Sequence, residues 1–377
     1  MNRDETVAMK DKAAIEVPVF VVATAPFMNI VFDESDKLNA TLEQVNSNTY
    51  DRLKICRTTM PLDGGIEAME NMAVIFSYTG AFLYPRMIGI GKQEVIDSAN
   101  YLLLQLMFGG IRLDAVSPDD VGFGTLYHTG YFLTAGGASG ANFRFLMALQ
   151  HQAANNFDTI QLIDPPYYTK AQVYEAIRTG QPVACAVPEI NPTMFLNGIT
   201  HYRQYQLASA LVFLWSTAES LIGKLWSEKA VPRGSGITGR KNFVESNSWQ
   251  AAYKIEVLFQ IGMISSALYS TLNEARDARN KLAHRGTTPS LRACEKALEG
   301  TFALISIITN GAPNEEKFKD LTDSLSAVHK PRTGKIEPRF WREILPVPGD
   351  SKWGDAPFSS HKEIELLSLE EIRQRKR

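Results

Sequence analysis

Residues 207–225 read LASALVFLWSTAESLIGKL. Leu207, Leu211, Leu214, Ala218, Leu221 and Leu225 step by four and three, so one apolar stripe runs along an amphipathic helix. Working outward from it, the Gly- and Ser-rich stretch 234–239 reads as a loop. Ser248 reads as the N-cap of a second helix over residues 249–264. A third helix is predicted from about residue 265 to His284, stopped by Gly286. Ser290 caps a fourth, with Leu291, Cys294, Leu298, Phe302 and Ile305 on one face, and Asn310, Gly311 and Pro313 stop it. Four helices with short connections predict a helical bundle over residues 196–311.

Before about residue 192 the character differs. Ile15, Val17, Val19 and Val21 alternate as a strand does, and further strands are expected at 28–32, 53–56, 72–78, 123–133 and 159–163. Helical patterns occupy 95–107, 141–152 and 170–178. The expected fold class is therefore α+β: a mixed α+β domain over residues 1–195, the bundle over 196–311, and a charged extension over 312–377. That extension contains Pro331, Pro338, Pro346, Pro348 and Pro357 and a short terminal helix near 363–375.

The bulk numbers exclude more than they identify. A formal net charge of -2 and a pI near 6.3 rule out a wholly basic nucleic-acid-binding surface but leave room for a local basic patch. Cys56, Cys185 and Cys294 are far apart, with neither a disulfide framework nor paired zinc spacing, which fits a reducing cytoplasm. The longest apolar runs, 17–27 and 302–308, are too short to span a bilayer, so no membrane partner is expected. His128, His151 and His201 lack metal-ligand spacing, and Gly136, Gly137 and Gly140 make no dinucleotide fingerprint. Neither metal nor cofactor is expected.

The chemistry concentrates at the end of the third helix, where residues 279–284 read RNKLAH. Its stripe runs Leu268, Leu272, Ala275, Arg279, Leu282, so Arg279 falls where the pattern asks for an apolar residue. Burying a lone guanidinium costs on the order of several kcal/mol, so it needs an anion. Glu219, between Trp215 and Ile222 on the first helix, is the internal candidate, and a phosphate is the external one. Asn280 and His284, four apart, share a second face with Arg276. Arg279 and His284 are five apart, roughly 140° around an ideal helix. The reach of the arginine, the helix end, or a second protomer must bring them together. Arg285 closes the motif. The basic, glycine-containing segment with Lys229, Arg233, Arg240 and Lys241 is either an RNA-backbone track or a solvated surface loop.

Trp215 and Glu219 in an aromatic-flanked first helix, with R-N-x-x-x-H ending the third of four helices, resemble the HEPN superfamily over roughly residues 198–311. The resemblance implies a homodimer of bundles with the two motifs facing across a cleft. It also implies either a metal-independent endoribonuclease, in many relatives a toxin or antiviral effector with an antitoxin or regulatory protein as a further partner, or a non-catalytic dimerisation or RNA- or protein-binding module. On that pattern Arg279 contacts the scissile phosphate and His284 acts as general base or acid. Asn280 orients the motif or the phosphate, and Glu219 positions Arg279. Arg276, Arg285, Arg233, Arg240 and Lys241 are candidates for weaker RNA contacts.

Overall fold

Along the first strand, Val19 and Val21 alternate with Phe20 and Val22, and both sets are buried. A strand with two apolar faces needs cover on each. In the computed structural model, which describes residues 16–26, 29–31, 55–61, 73–77, 79–127, 132–152, 167–234, 249–311, 320–325 and 329, this strand lies inside a six-stranded antiparallel sheet. The strands are β1 (Glu16–Val22), β3 (Ile55–Pro61), β4 (Ala73–Ser77), β5 (Phe82–Pro85), β6 (Val121–Tyr127) and β7 (Phe132–Gly136), in the order β3-β4-β5-β1-β6-β7. A separate parallel pair joins β2 (Asn29–Val31) to β8 (Tyr167–Thr169).

The helices are α1 (Lys92–Phe108), α2 (Ala141–Gln152), α3 (Lys170–Ala186), α4 (Pro192–Arg203), α5 (Leu207–Leu225), α6 (Ala251–Gln260), α7 (Ser266–Arg285) and α8 (Leu291–Ile308). Val19 and Val21 face Phe143 and Leu146 of α2. Phe20 and Val22 face the opposite way, into a core that includes α1. This core continues through Phe195 of α4 and Leu214 of α5 to Leu272 of α7, Leu298 of α8, and Leu321 and Leu325 beyond. It runs unbroken past residue 195, and all the described residues fall in one compact unit, Met1–His329. Among them no helix is long and apolar enough to cross a membrane.

Within the helical layer, α6, α7 and α8 each pack on α5, and α7 packs on both α6 and α8. Capping sets the ends. Ser265 Oγ accepts the Leu268 N–H at 3.2 Å, and Ser290 Oγ accepts the Ala293 N–H at 3.2 Å. Gly286, with φ 64°, closes α7 in the left-handed conformation. The Cys294 thiol lies between α8 and α5, donating to the Leu207 carbonyl at 3.3 Å, and burial pushes its pKa up to about 12. In the segment before β6, Asp114 pairs with Arg203 at the end of α4. Burial raises the Asp114 carboxyl above its ordinary range despite the pull of Arg203 and Arg112.

Several expectations are corrected. The single strand over 123–133 is two strands, β6 and β7, paired antiparallel with Leu126 opposite Phe132. Helix α3 runs past residue 178 to Ala186, through Gly180 and Pro182, because that stretch packs against α1. The helix expected over 249–264 spans only Ala251–Gln260, with Gln250 at the N-cap and Gly262, at φ 73°, ending it. Its expected cap, Ser248, lies outside the described residues. The first bundle helix widens to a π turn at Trp226–Ala230 before a final turn, Val231–Gly234. The wide turn leads into Pro232, whose ring would press on the carbonyl four residues back in a regular α-helix. The strand expected over 159–163 and the helix expected near 363–375 also lie outside the described residues.

Helices α1 and α3 touch backbone to backbone. A Cβ added at Gly180 would fall on the Gln105 carbonyl oxygen, whereas one added at Gly223 on α5 would meet nothing within 4 Å. Gly180→Ala is expected to lower stability by about 1–3 kcal/mol through overpacking. Gly223→Ala, gaining helix propensity, should be neutral or stabilising by up to about 1 kcal/mol. Denaturant titration of both variants checks the contrast, and equal effects would contradict the close approach.

Candidate functional site

Three helices enclose one cavity of about 650 Å³. From α5 come Trp215, Glu219 and Ile222, whose steps of four and three place them on one face. From α7 come Arg276, Asn280 and His284, each four apart, with Arg279 beside them. The start of α6 completes the enclosure with Trp249, Gln250, Ala251, Ala252 and Lys254. Five of the residues singled out in the sequence thus meet at one place: Glu219, Arg276, Arg279, Asn280 and His284. Arg285 and Arg233 are exposed and do not line it, and the Arg233 guanidinium donates instead to the Ile261 carbonyl at 3.4 Å. Arg240 and Lys241 lie outside the described residues.

The stripe on α7 explains the setting of Arg279. Leu268, Leu272 and Ala275 are buried, but Arg279 and Leu282 are only half-buried, because the stripe opens towards solvent in the last turns. The full burial suggested by its place in the apolar pattern does not occur. The Arg279 guanidinium donates to Asn280 Oδ1 at 3.3 Å. Among the described residues it has no carboxylate within 4 Å, and Glu219, exposed on α5, does not pair with it. The internal ion pair that would have made Arg279 a structural residue is not formed.

Asn280 is half-buried and His284 exposed. The end of α7 is closed by Gly286, whose N–H donates to the Leu282 carbonyl at 3.0 Å, so the imidazole is not needed as a helix cap. Arg279 and His284, roughly 140° apart on an ideal helix, nevertheless line the same cavity within one chain.

Three permanent cations, Lys254, Arg276 and Arg279, face a single carboxylate, Glu219. Arg276 forms a 3.1 Å ion pair with its neighbour Asp277, while its Nε is buried without a hydrogen-bond partner. A chain of net charge -2 therefore concentrates positive charge here. Such a cavity suits an anion, with an imidazole at hand for proton transfer. Among the described residues no three His, Cys, Asp or Glu side chains cluster so as to hold a metal ion.

The wall from α6 was missed in the sequence. Trp249 reads there as the first residue of a core helix, and no local pattern announces that α6 begins beside α7. No protein-family model, curated protein or solved structure matches the chain.

Because Arg279 has no buried ion pair to lose, Arg279→Ala should change stability by less than about 1 kcal/mol. A loss above about 3 kcal/mol in thermal or denaturant unfolding would reveal a buried charge pair. Gly286→Ala, by contrast, should cost about 1 kcal/mol, since a Cβ disfavours the left-handed conformation.

Proposed function

We propose that this chain is a metal-independent endoribonuclease whose active centre is the cavity between α5, α6 and α7. The observation that supports this best is Arg279: a guanidinium with no carboxylate partner among the described residues, beside Asn280 and His284 in one cavity. Such a cation is available to a phosphodiester. RNA carries its own nucleophile, so cleavage needs proton transfer and stabilisation of a crowded, charged phosphorus centre.

In the proposed step the 2′-oxygen attacks phosphorus and the bond to the 5′-oxygen breaks. The 2′-hydroxyl proton is removed and one is returned to the leaving oxygen, with His284 as general base or acid. Arg279 stabilises the charge that develops on the phosphate oxygens, and Asn280 orients Arg279, which it touches at 3.3 Å. The products are a 2′,3′-cyclic phosphate and a 5′-hydroxyl end, and no water is consumed. Glu219 lacks the contact to Arg279 that the HEPN resemblance implies for it, and we assign it no step. Arg276 and Lys254 add positive charge along the bound strand.

The rest of the resemblance belongs to the same reading. The helices α5 to α8 stand for the HEPN bundle, two copies associate through it, and the protein serves as a cytoplasmic toxin or defence effector held in check by a regulatory protein. Light scattering tests the association directly.

Incubation of purified protein with total RNA in EDTA, followed by mapping of the ends, tests the chemistry. Cleavage with cyclic-phosphate ends is expected, with DNA left intact. His284→Ala and Arg279→Ala should each slow it at least about a hundredfold. Cleavage by His284→Ala at the wild-type rate would overturn the mechanism, and RNA binding without cleavage by the wild type would make the cavity a binding module instead.

A further inference from the structure

The cavity wall is chemically mixed. Helix α7 contributes Arg276, Arg279, Asn280 and His284, α5 contributes the exposed Glu219 beside the buried Trp215 and Ile222, and the residues at the start of α6 include Trp249, Gln250 and Lys254. A ligand with an anionic group for the arginines and a flat apolar group for Trp249 fits this wall. The volume, about 650 Å³, lies within the ~300–1,000 Å³ range of small-ligand sites. It holds a nucleotide and is far too small for a duplex.

Trp249 is the residue built for the flat end. Its ring packs against Trp226 with centroids 4.8 Å apart, and it borders the cluster of Trp226, Ala230 and Val231 on the widened turn after α5. That packing holds the indole in place while the residue stays half-buried and lines the cavity. Trp215, by comparison, is almost wholly buried and offers the cavity little surface.

We infer that the cavity takes one unpaired nucleotide of single-stranded RNA, with its base stacked on Trp249 and its phosphate on Arg279. This rests on reading the cavity as an RNA site. A base within a duplex is stacked on its neighbours and its face is closed, so only an unpaired or extruded base reaches the indole. Stacking accepts any base, since each has a π face, so Trp249 selects for strandedness more than for sequence. Gln250, exposed beside Trp249, also lines the cavity.

The test uses a single-stranded RNA oligonucleotide with 2′-O-methyl groups, which binds but offers no nucleophile, and the same oligonucleotide annealed to its complement. The wild type should bind the single strand at least about tenfold more tightly than the duplex, with quenching of tryptophan emission. Trp249→Ala, shown to be folded by circular dichroism, should weaken single-strand binding about tenfold. If Trp249→Ala does not fold, photocrosslinking of wild-type protein to 4-thiouridine-containing single strands decides. Adducts on the peptide containing Trp249 support the inference, and adducts only elsewhere overturn it. Equal affinity for duplex and single strand, or unchanged affinity in folded Trp249→Ala, also overturns it. Loss of binding in Trp249→Ala alongside a wild type that never cuts RNA would leave the base site standing and remove the nuclease. Cleavage by the wild type that Trp249→Ala leaves unaltered would do the reverse.

Discussion

Asn100 is fully buried near the middle of α1, and a buried amide must be satisfied on every side. Its Nδ2 donates to the Val116 carbonyl at 3.0 Å and to Thr193 Oγ1 at 3.1 Å, and its Oδ1 accepts the Val116 N–H at 2.8 Å. One side chain thus joins the central helix to the segment before β6 and to the first turn of α4. The surroundings of α1 are apolar on nearly all sides from Val95 to Phe108, with the sheet on one side and α3 and α4 beside it. Apolar packing and the close approach of α3 at Gly180 set the spacing of these neighbours. The amide network is directional and fixes one register, and α4, thus placed, carries α5 and the helices packed on it.

The parts of the fold that were legible in the sequence are those decided locally. Ser265 and Gly286 bound α7, and Ser290 with Asn310 and Gly311 bounds α8, because caps act through the neighbouring backbone. The stripe on α5 is equally local. Strand pairing is not: β5 has only four residues, and nothing in FLYP reveals that it pairs with both β1 and β4. The division of 123–133 into β6 and β7 is likewise a matter of pairing, Leu126 opposite Phe132, and not of local pattern. The continuation of α3 through Gly180 and Pro182 to Ala186 follows its packing on α1, a tertiary contact that the local sequence does not contain.

The candidate site divides along the same line. Arg276, Arg279, Asn280 and His284 all lie on one helix, so their spacing exposes them to any reading of the sequence. Glu219 was found as the carboxylate between Trp215 and Ile222 on the first helix, although its expected pairing with Arg279 does not form. Trp249 and Lys254 come from an element whose place beside α7 is set only by tertiary packing, through contacts such as the 2.7 Å hydrogen bond from Tyr269 on α7 to Glu256 on α6. The charge of the cavity is in part a tertiary property. The whole chain is slightly acidic; α7 alone brings Arg276 and Arg279 to this spot, and the packing of α6 beside it adds Lys254.

Helix α5 has a double position, for it walls the cavity with Glu219 and Trp215 and packs on α4, α6, α7 and α8. Its core is the one that reaches the sheet at Phe20 and Val22. The cavity is therefore not an appendage with its own local melting. Occupancy of the cavity and folding of the sheet are thermodynamically linked, and a ligand that binds only the folded chain adds its binding free energy to the cooperative unfolding of both. In such an arrangement damage to the distant sheet is felt as loss of occupancy at the helices, and a ligand at the helices steadies the sheet.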